Sequence, residues 1–195
     1  MNRKTVFDAV RRLLGRSFKQ VEVEALDRAL DAAMRNLDYA GNELALSDDG
    51  LDLIKEFEGC KLTAYPDPGT GGKPWTIGYG ATRIDGRPVH PGETITQAQA
   101  DKLLLVDIER HADPVRDMLG SAPTTQGQFD AMVSFAFNLG PDSLKRSTLF
   151  RKHMEGDYEG AANEFARWNK ANGRVLRGLT RRRAAEASMY RGEAR

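Results

Sequence analysis

Two short stretches decide how this chain folds: residues 57–67 read FEGCKLTAYPD, and residues 75–80 read WTIGYG. Ahead of the first stretch, Ser47 offers an N-terminal cap and apolar residues recur at helical spacing. Gly59 then ends the predicted helix. Glycine and proline are dense across residues 60–95, which predicts a small antiparallel sheet of two or three strands. The apolar runs expected to form those strands are residues 62–65, residues 75–79 and Ile84.

Helices dominate the rest of the chain. Capping-box patterns at Thr96 and Thr125 each predict a helix start, and Pro114 predicts a kink or a new start within the first of these helices. The second helix is apolar nearly all round, so we expect it at the centre of the core. Shorter helices are predicted at residues 147–155, 157–169 and 180–191. The fold class is therefore α+β and mostly α, with a small antiparallel sheet beside a helical lobe.

The N-terminal part of the chain is predicted to be a helical hairpin. Residues 4–15 place apolar side chains on one helical face with Gly15 as a C-terminal cap, and a second amphipathic helix starts near Gln20. Two short helices bury little apolar surface alone, so we expect them to pack on the rest of the chain or on a partner. The predicted domains are a segment of unknown role at residues 1–46 and a main domain at residues 47–195.

The charge distribution bears on the class of partner. Over 195 residues the formal net charge is +1, which predicts no strong overall attraction to polyanions, and we expect no nucleic-acid partner. Residues 141–195 nevertheless hold 13 lysines and arginines against 7 acidic residues. This basic end either steers the protein toward an acidic wall polymer or nucleic acid, or consists of solvated helix faces.

Several kinds of site are disfavoured. Cys60 is the only cysteine, and His90, His111 and His153 lie far apart, so we expect no disulfide, no metal site and no cofactor. We expect Cys60 to be inert and partly buried. No run approaches the roughly 20 apolar residues of a membrane span. Charges interrupt the N-terminus, which lacks the apolar stretch of a signal peptide, so synthesis in the cytoplasm is expected.

Glu58 and Asp67 are the most prominent candidates for chemistry. Glu58 ends the predicted helix, where the helix dipole carries partial negative charge and favours a protonated carboxyl. A general acid requires a carboxyl of that kind. Asp67 lies nine residues further on, in a turn where it stays solvated and ionised. Such a pair can perform glycoside hydrolysis; a solvated helix end and a turn former are the structural alternatives.

The two stretches resemble the signature of the phage-type lysozymes, glycoside hydrolase family 24, in which eight residues separate a Glu from an Asp or Cys and five residues separate that residue from a Thr. The resemblance covers roughly residues 47–193 and includes FNLG at residues 137–140 and GLTRRRAAE at residues 178–186, both typical of the lambdoid branch. It implies a lysozyme-like catalytic domain. It also implies that Glu58 is the general acid, Asp67 the second carboxylate and Thr76 the hydroxyl that helps to hold the attacking water.

The spacing departs from the family pattern at one place. Eight residues separate Asp67 from Thr76, where the family has five. The additional residues lie within GTGGKP at 69–74, which suits a longer hairpin loop that leaves the strands aligned. If the alignment is lost, Thr70 is the other candidate hydroxyl.

Five further residues are candidates for substrate binding, each with a structural alternative. Tyr65 and Tyr79 either line the cleft or pack in the sheet. Asn138 either binds a sugar or caps its helix. Arg182 or Arg183 matches a family position near the cleft, where a guanidinium can grip peptide or carboxyl groups of the glycan; the alternative is an exposed helix residue without a specific role.

The activity implied by the resemblance is hydrolysis of the β-1,4 bond between N-acetylmuramic acid and N-acetylglucosamine in bacterial peptidoglycan. A phage or prophage endolysin of this kind is expected to be a monomer that reaches periplasmic peptidoglycan with the help of a holin. A lytic transglycosylase is a second interpretation, although it needs only the glutamate. A third is a wall-binding module without catalysis, in which loss of Glu58 would be expected.

Overall fold

The computed structural model describes residues 44–193 except Pro68, together with Phe7 and residues 10–12, 15–19, 21–23 and 25–26. The chain divides into two compact units, Met1–Glu43 and Leu44–Arg195. In the first unit, residues 10–12 and 21–23 are helical, and Gly15 between them has a φ of 63°. Phe7 and residues 25–26 are helical as well, and most of the predicted N-terminal hairpin lies outside the described residues.

The second unit consists of helices around two small β-hairpins, with a third hairpin near its C-terminal end. The helices are α1 (Asp48–Glu58), α2 (Gln97–Leu119), α3 (Gln126–Leu139), α4 (Pro141–Lys145), α5 (Thr148–Met154), α6 (Tyr158–Glu164), a 3-10 turn (Phe165–Trp168) and α7 (Arg177–Arg191). The strands are β1 (Lys61–Pro66), β2 (Trp75–Gly78), β3 (Arg83–Ile84), β4 (Arg87–Pro88), β5 (Lys170–Ala171) and β6 (Arg174–Val175).

Helix α1 is fixed at both ends by its own sequence. Ser47 caps the first turn, its hydroxyl accepting from the Gly50 amide at 3.2 Å. The same hydroxyl donates to the buried Asp130 carboxylate at 2.5 Å, which ties the start of α1 to α3. At the other end Gly59 has a φ of 67° and stops the helix. As predicted, Glu58 is therefore the last helical residue before the sheet.

The predicted small sheet is confirmed, but it is divided into pairs of strands. Strands β1 and β2 are antiparallel and pair Tyr65 with Thr76 and Pro66 with Trp75. The predicted third strand at Ile84 pairs instead with Arg87 in a separate two-stranded sheet. Asp85 and Gly86 form a tight turn between β3 and β4, with φ values of 48° and 83°.

Helix α3 occupies the centre of the core, as its apolar character predicts. Residues 128–136 are buried without interruption, and α1, α2 and α7 all pack on this helix. Helix α2 continues through Pro114, so the chain does not start a new helix there. A proline inside a helix costs about 3 kcal/mol or more. Burial of Ala112 and Val115 on either side of Pro114 offsets that cost.

The C-terminal helices differ from the prediction in their limits. The segment predicted as one helix at 157–169 is α6 followed by a 3-10 turn, and α7 starts at Arg177 rather than at residue 180. Between them lies the β5–β6 hairpin, which was not predicted. Asn172 and Gly173 form its turn with φ values of 49° and 74°. An Asn-Gly pair is the usual sequence for such a turn, so the signal was present, but the flanking strands are too short and polar to form a visible alternating pattern.

One buried histidine makes the stability of the fold sensitive to acid. His153 is 1% exposed, its Nε2 lies 2.9 Å from the Thr124 hydroxyl and its Nδ1 lies 2.6 Å from the Tyr190 hydroxyl. Burial lowers the pKa of His153 from 6.5 to about 4, since the charged imidazole is disfavoured there. The stabilising contribution is therefore complete above pH 6.5 and is lost as the pH falls toward 4.

We expect the wild-type free energy of unfolding to fall by about 2 to 3 kcal/mol more than that of His153→Gln between pH 7 and pH 4.5. Glutamine does not titrate and can still hydrogen-bond within the site. The measurement is urea denaturation of both proteins at the two pH values. Parallel losses would mean that His153 is not the group responsible.

Candidate active site

Glu58 lies at the junction of α1 and β1 beside a buried cation. Its side chain is 23% exposed, and its Oε1 accepts a hydrogen bond of 2.6 Å from Nη1 of Arg182, whose side chain is 4% exposed. The Arg182 guanidinium also lies over the Phe57 ring, 5.8 Å from the centroid. A charge-assisted bond of this kind is short and directional, so it fixes the orientation of the Glu58 carboxyl. The position of Glu58 at a helix end, from which its role was predicted, does not reveal this cation.

The two adjacent arginines are buried, which excludes the interpretation that they are exposed helix residues. Arg182 and Arg183 are 3% and 1% exposed. Arg183 donates through Nη2 to Oδ1 of Asn138 at 3.1 Å, and its guanidinium lies 5.0 Å from the centroid of the Phe135 ring. A side chain so deeply buried does not fit direct contact with a polymer outside the protein. Arg183 and Asn138 instead hydrogen-bond to each other inside the protein, next to Arg182.

Asp67 lies in the loop that follows β1, where its carboxylate organises the backbone. Its Oδ1 accepts hydrogen bonds from the amides of Gly69 at 2.9 Å and Thr70 at 3.0 Å. This is the Asx-turn arrangement expected of an aspartate in a turn. Among the described residues, the hydrogen bonds of this carboxylate all go through Oδ1, which leaves Oδ2 able to accept from water.

Strands β1 and β2 pair regularly next to the longer loop, and their register shifts only further away, between Lys61 and Tyr65. Because Tyr65 pairs with Thr76, Thr76 faces the residue two positions before Asp67, and its side chain is largely buried. Thr70 is committed within the loop: its hydroxyl donates to the Lys73 carbonyl at 2.8 Å and accepts from the Gly72 amide at 3.3 Å. The additional residues thus form a turn of their own, and this geometry favours Thr76 over Thr70 as the candidate hydroxyl.

Tyr65 connects the two carboxylates. Burial raises the pKa of the Tyr65 phenol, and the negative charges of Asp67 and Glu58 raise it further. The ring is also covered by Lys61, whose Nζ lies 4.2 Å from the centroid. Both carboxylates therefore lie within electrostatic range of the same phenol.

Tyr79 is held between α1 and α2 by a polar network. Its hydroxyl donates to Asp101 at 3.1 Å and accepts from Gln97 at 3.0 Å, while Lys55 lies 3.3 Å from the same Asp101 oxygen. Burial raises the pKa of this phenol too. These contacts fix the ring rather than leave it simply packed in the sheet.

Cys60 differs from expectation. It is exposed, not partly buried, because it occupies the turn between α1 and β1. Among the described residues, no group of three or more His, Cys, Asp or Glu side chains is arranged to hold a metal ion. Within that same part of the chain, no helix combines the length and the apolar character needed to cross a membrane.

Two functional residues were not predicted from the sequence, Glu186 and Ser134, and both contact Arg182, the partner of Glu58. Glu186 is fully buried and accepts hydrogen bonds from Ser134, Arg182 and Arg183. The spacing of Arg182 and Glu186, four residues apart on a helix, was a signal that the two side chains can pair. No comparable local spacing indicates that Ser134 and Glu58, which lie on other helices, contact these two residues.

Comparison with known proteins identifies the family. The family model described as Phage lysozyme matches residues 55–186, so the match includes Glu58, the hairpin of β1 and β2, and the buried arginines. The chain belongs to the phage lysozyme family, as the sequence resemblance predicted.

Individual relatives agree with this assignment. The chain is 44% identical over 145 residues to the endolysin of Bacillus phage B103, a match that covers 74% of this chain and 53% of that protein. It is 40% identical over 149 residues to the endolysin of Acyrthosiphon pisum secondary endosymbiont phage 1, covering 74% and 97%. The solved structure of the endolysin from Escherichia coli O157:H7 phage FAHEc1 is 40% identical with a TM-score of 0.69, covering 76% and 94%.

The extent of these matches differs between relatives. The chain spans about half the length of the Bacillus phage endolysins that it matches, namely 53% and 55%. It spans nearly all of the FAHEc1 endolysin structure. The likeness to this structure confirms the predicted fold class, a mostly α, lysozyme-like α+β fold.

Proposed function

We propose that this protein is a muramidase that hydrolyses the β-1,4 bond between N-acetylmuramic acid and N-acetylglucosamine in bacterial peptidoglycan. The observation that carries the proposal is the position of Glu58 at the end of α1, where the buried Arg182 holds it at 2.6 Å, with Asp67 in the loop that follows the next strand. The relatives named endolysins support a lytic role for this protein. We assign this activity to the unit Leu44–Arg195.

In the proposed mechanism Glu58 protonates the leaving oxygen while Asp67 and Thr76 direct a water molecule to the opposite face of the sugar ring. Inversion at the anomeric carbon then follows, which calls for carboxyls about 6.5–9.5 Å apart. When Glu58 gives up its proton, the carboxylate that forms is stabilised by the Arg182 guanidinium at 2.6 Å. Tyr65 and Tyr79 are proposed to line the substrate cleft. We give Asn138 and Arg183 a supporting role, because of their mutual hydrogen bond.

The basic C-terminal part of the chain supports an acidic polymer as substrate. Residues 165–185 include no aspartate or glutamate, and Lys170, Arg174 and Arg177 are exposed just ahead of Arg182. Peptidoglycan carries carboxylates on its peptides, so we propose that these cations guide the protein to the wall.

We further propose that the protein serves in phage or prophage lysis as a monomer and that a holin gives it access to periplasmic peptidoglycan. The two competing functions remain a lytic transglycosylase and a wall-binding module. Asp67 argues against the first, since a transglycosylase does not need a second carboxylate, and the buried support around Glu58 argues against the second.

The proposed function is tested with purified sacculi that carry a covalently attached dye. We expect the wild-type protein to release soluble dye in proportion to its concentration and to time. A folded protein that binds the sacculi without releasing dye would contradict the proposal and support the wall-binding module.

We expect Thr76→Ala to slow dye release by about ten- to a hundred-fold, the effect of one lost hydrogen bond to a water that acts in the reaction. Thr70→Ala should change the rate by less than about threefold, because its hydroxyl is committed to Lys73 and Gly72. Thr76→Ser retains the hydroxyl and serves as the matched control. Melting curves of all three variants separate lost packing of the largely buried Thr76 from lost chemistry.

The reverse ranking of the two alanine variants would mean that the longer loop has moved the water-holding hydroxyl to Thr70. In that case the assignment of Thr76 is wrong, although that of Glu58 is unaffected.

A further inference from the structure

A carboxylate buried in the core lies directly behind the proposed general acid. Glu186, on α7, has a side chain that is 0% exposed. Its Oε1 accepts three hydrogen bonds: from the Ser134 hydroxyl at 2.8 Å, from Arg183 Nη2 at 2.8 Å and from Arg182 Nε at 3.2 Å. Burying a charged group is costly unless it is paired and hydrogen-bonded. The arrangement therefore calls for an explanation beyond the packing of α7 on α3.

The contacts of Arg182 supply that explanation. Its guanidinium is planar and its N–H groups point in fixed directions. Nε donates to Glu186 and Nη2 donates to the Ser134 carbonyl at 3.2 Å. With these two nitrogens fixed, the direction of the third is determined, and Nη1 meets Glu58 at 2.6 Å. Glu186 and Ser134 thus aim Arg182 at the carboxyl that is proposed to protonate the substrate.

Glu186 also balances the charge of the two buried arginines that it contacts. Arg182 and Arg183 are two cations packed side by side in the core, and burial lowers the pKa of Arg183 to about 10. Burial raises the pKa of Glu186, while the two guanidiniums oppose that shift. Because Glu186 touches both cations, its negative charge offsets one of them and limits the positive potential at Glu58.

We infer that Glu186 is a positioning residue for the reaction: it holds Arg182 against Glu58, and its charge offsets that of the paired arginines and so limits the positive potential at the proposed general acid. This inference rests on the proposed muramidase function. Glu186 should therefore affect the pH range over which the protein is active. A residue that acted only in packing would not have this effect.

The test is the pH–rate profile of dye release by Glu186→Gln. Glutamine keeps the size of the side chain and an oxygen that can accept from Arg182, but it removes the negative charge. With two uncompensated cations behind it, Glu58 loses its proton more readily. We therefore expect the alkaline limb of the profile to shift to lower pH by about half a unit or more and the rate at neutral pH to fall accordingly.

Other charged groups near Glu58 remain as they are in this variant. They are Arg182 on α7, Arg181 with its partner Glu56, Tyr65 and Lys61 on β1, and Asp67 in the loop that follows. Ser134→Ala is the matched control, because it removes one hydrogen bond to Glu186 and keeps every charge. Its alkaline limb should coincide with that of the wild type.

Glu186→Asp gives a second, independent test if the glutamine variant does not fold. Aspartate keeps the charge but is one carbon shorter, so it cannot hold Arg182 Nε as Glu186 does. We expect at least a severalfold lower maximal rate with the alkaline limb unmoved.

Two results would overturn the inference. One is a folded Glu186→Gln protein whose profile superimposes on that of the wild type, and the other is a fully active Glu186→Asp protein. Failure of the proposed function has a different signature, since the wild-type protein itself would then release no dye at any pH.

Discussion

Glu58→Gln is expected to slow the release of dye from sacculi by about a hundred- to ten-thousand-fold, the range that general acid catalysis contributes. Glutamine has nearly the shape of glutamate, and its side-chain oxygen can still accept the hydrogen bond from Arg182 that is 2.6 Å long in the wild type. It cannot donate a proton to a leaving oxygen at the required acidity. The fold should therefore persist while the chemistry stops.

Glu56→Gln is the matched control for this variant. Glu56 lies two residues earlier on the same helix, is 45% exposed and faces Arg181 at 3.6 Å. We expect it to retain at least about half of the wild-type rate, since an exposed pair contributes little. Dye release by Glu58→Gln at a rate close to wild type, with normal circular dichroism, would remove Glu58 from the mechanism.

Asp67→Asn is the second variant with a large expected effect, a loss of about a hundred-fold or more in the rate of dye release. The native hydrogen bonds make this substitution informative. Asp67 uses Oδ1 to accept from the amides of Gly69 and Thr70, and the asparagine oxygen can accept both bonds. The loop is thus retained, and only the negative charge that would activate water is lost.

Asp85→Asn controls for the same chemical change elsewhere. Asp85 is exposed in the turn between β3 and β4 with a φ of 48°, a conformation that asparagine also adopts readily. Its activity should equal that of the wild type. If Asp67→Asn is as active as this control, Asp67 is a turn former and the protein does not use it to activate water.

The features that could be predicted from the sequence are those encoded locally. Ser47 and Gly59 set the two ends of α1, and the position of Glu58 at the end of the helix followed from Gly59, the residue next to it. Helix α3 is apolar on nearly all of its faces, and this predicted its position at the centre of the core. The turn chemistry around Asp67 likewise lies within a few residues of it.

The features that were missed depend on contacts between distant parts of the chain. Glu58 and Arg182 are 124 positions apart, and no local pattern indicates that α7 brings its arginines under α1. The burial of Arg183 beside Phe135 is equally a consequence of helix packing. A run of three arginines is usually solvated, so the inward orientation of Arg182 and Arg183 could be recognised only once α3 and α7 were placed together.

The most direct test of the central claim is mass spectrometry of the soluble fragments that the wild-type protein releases from purified sacculi. We predict muropeptides that end in reducing N-acetylmuramic acid, because a water molecule held opposite Glu58 attacks the sugar. Fragments that end in 1,6-anhydro-N-acetylmuramic acid would show that the sugar's own hydroxyl attacks, as in a lytic transglycosylase. That result would contradict the proposed roles of Asp67 and Thr76.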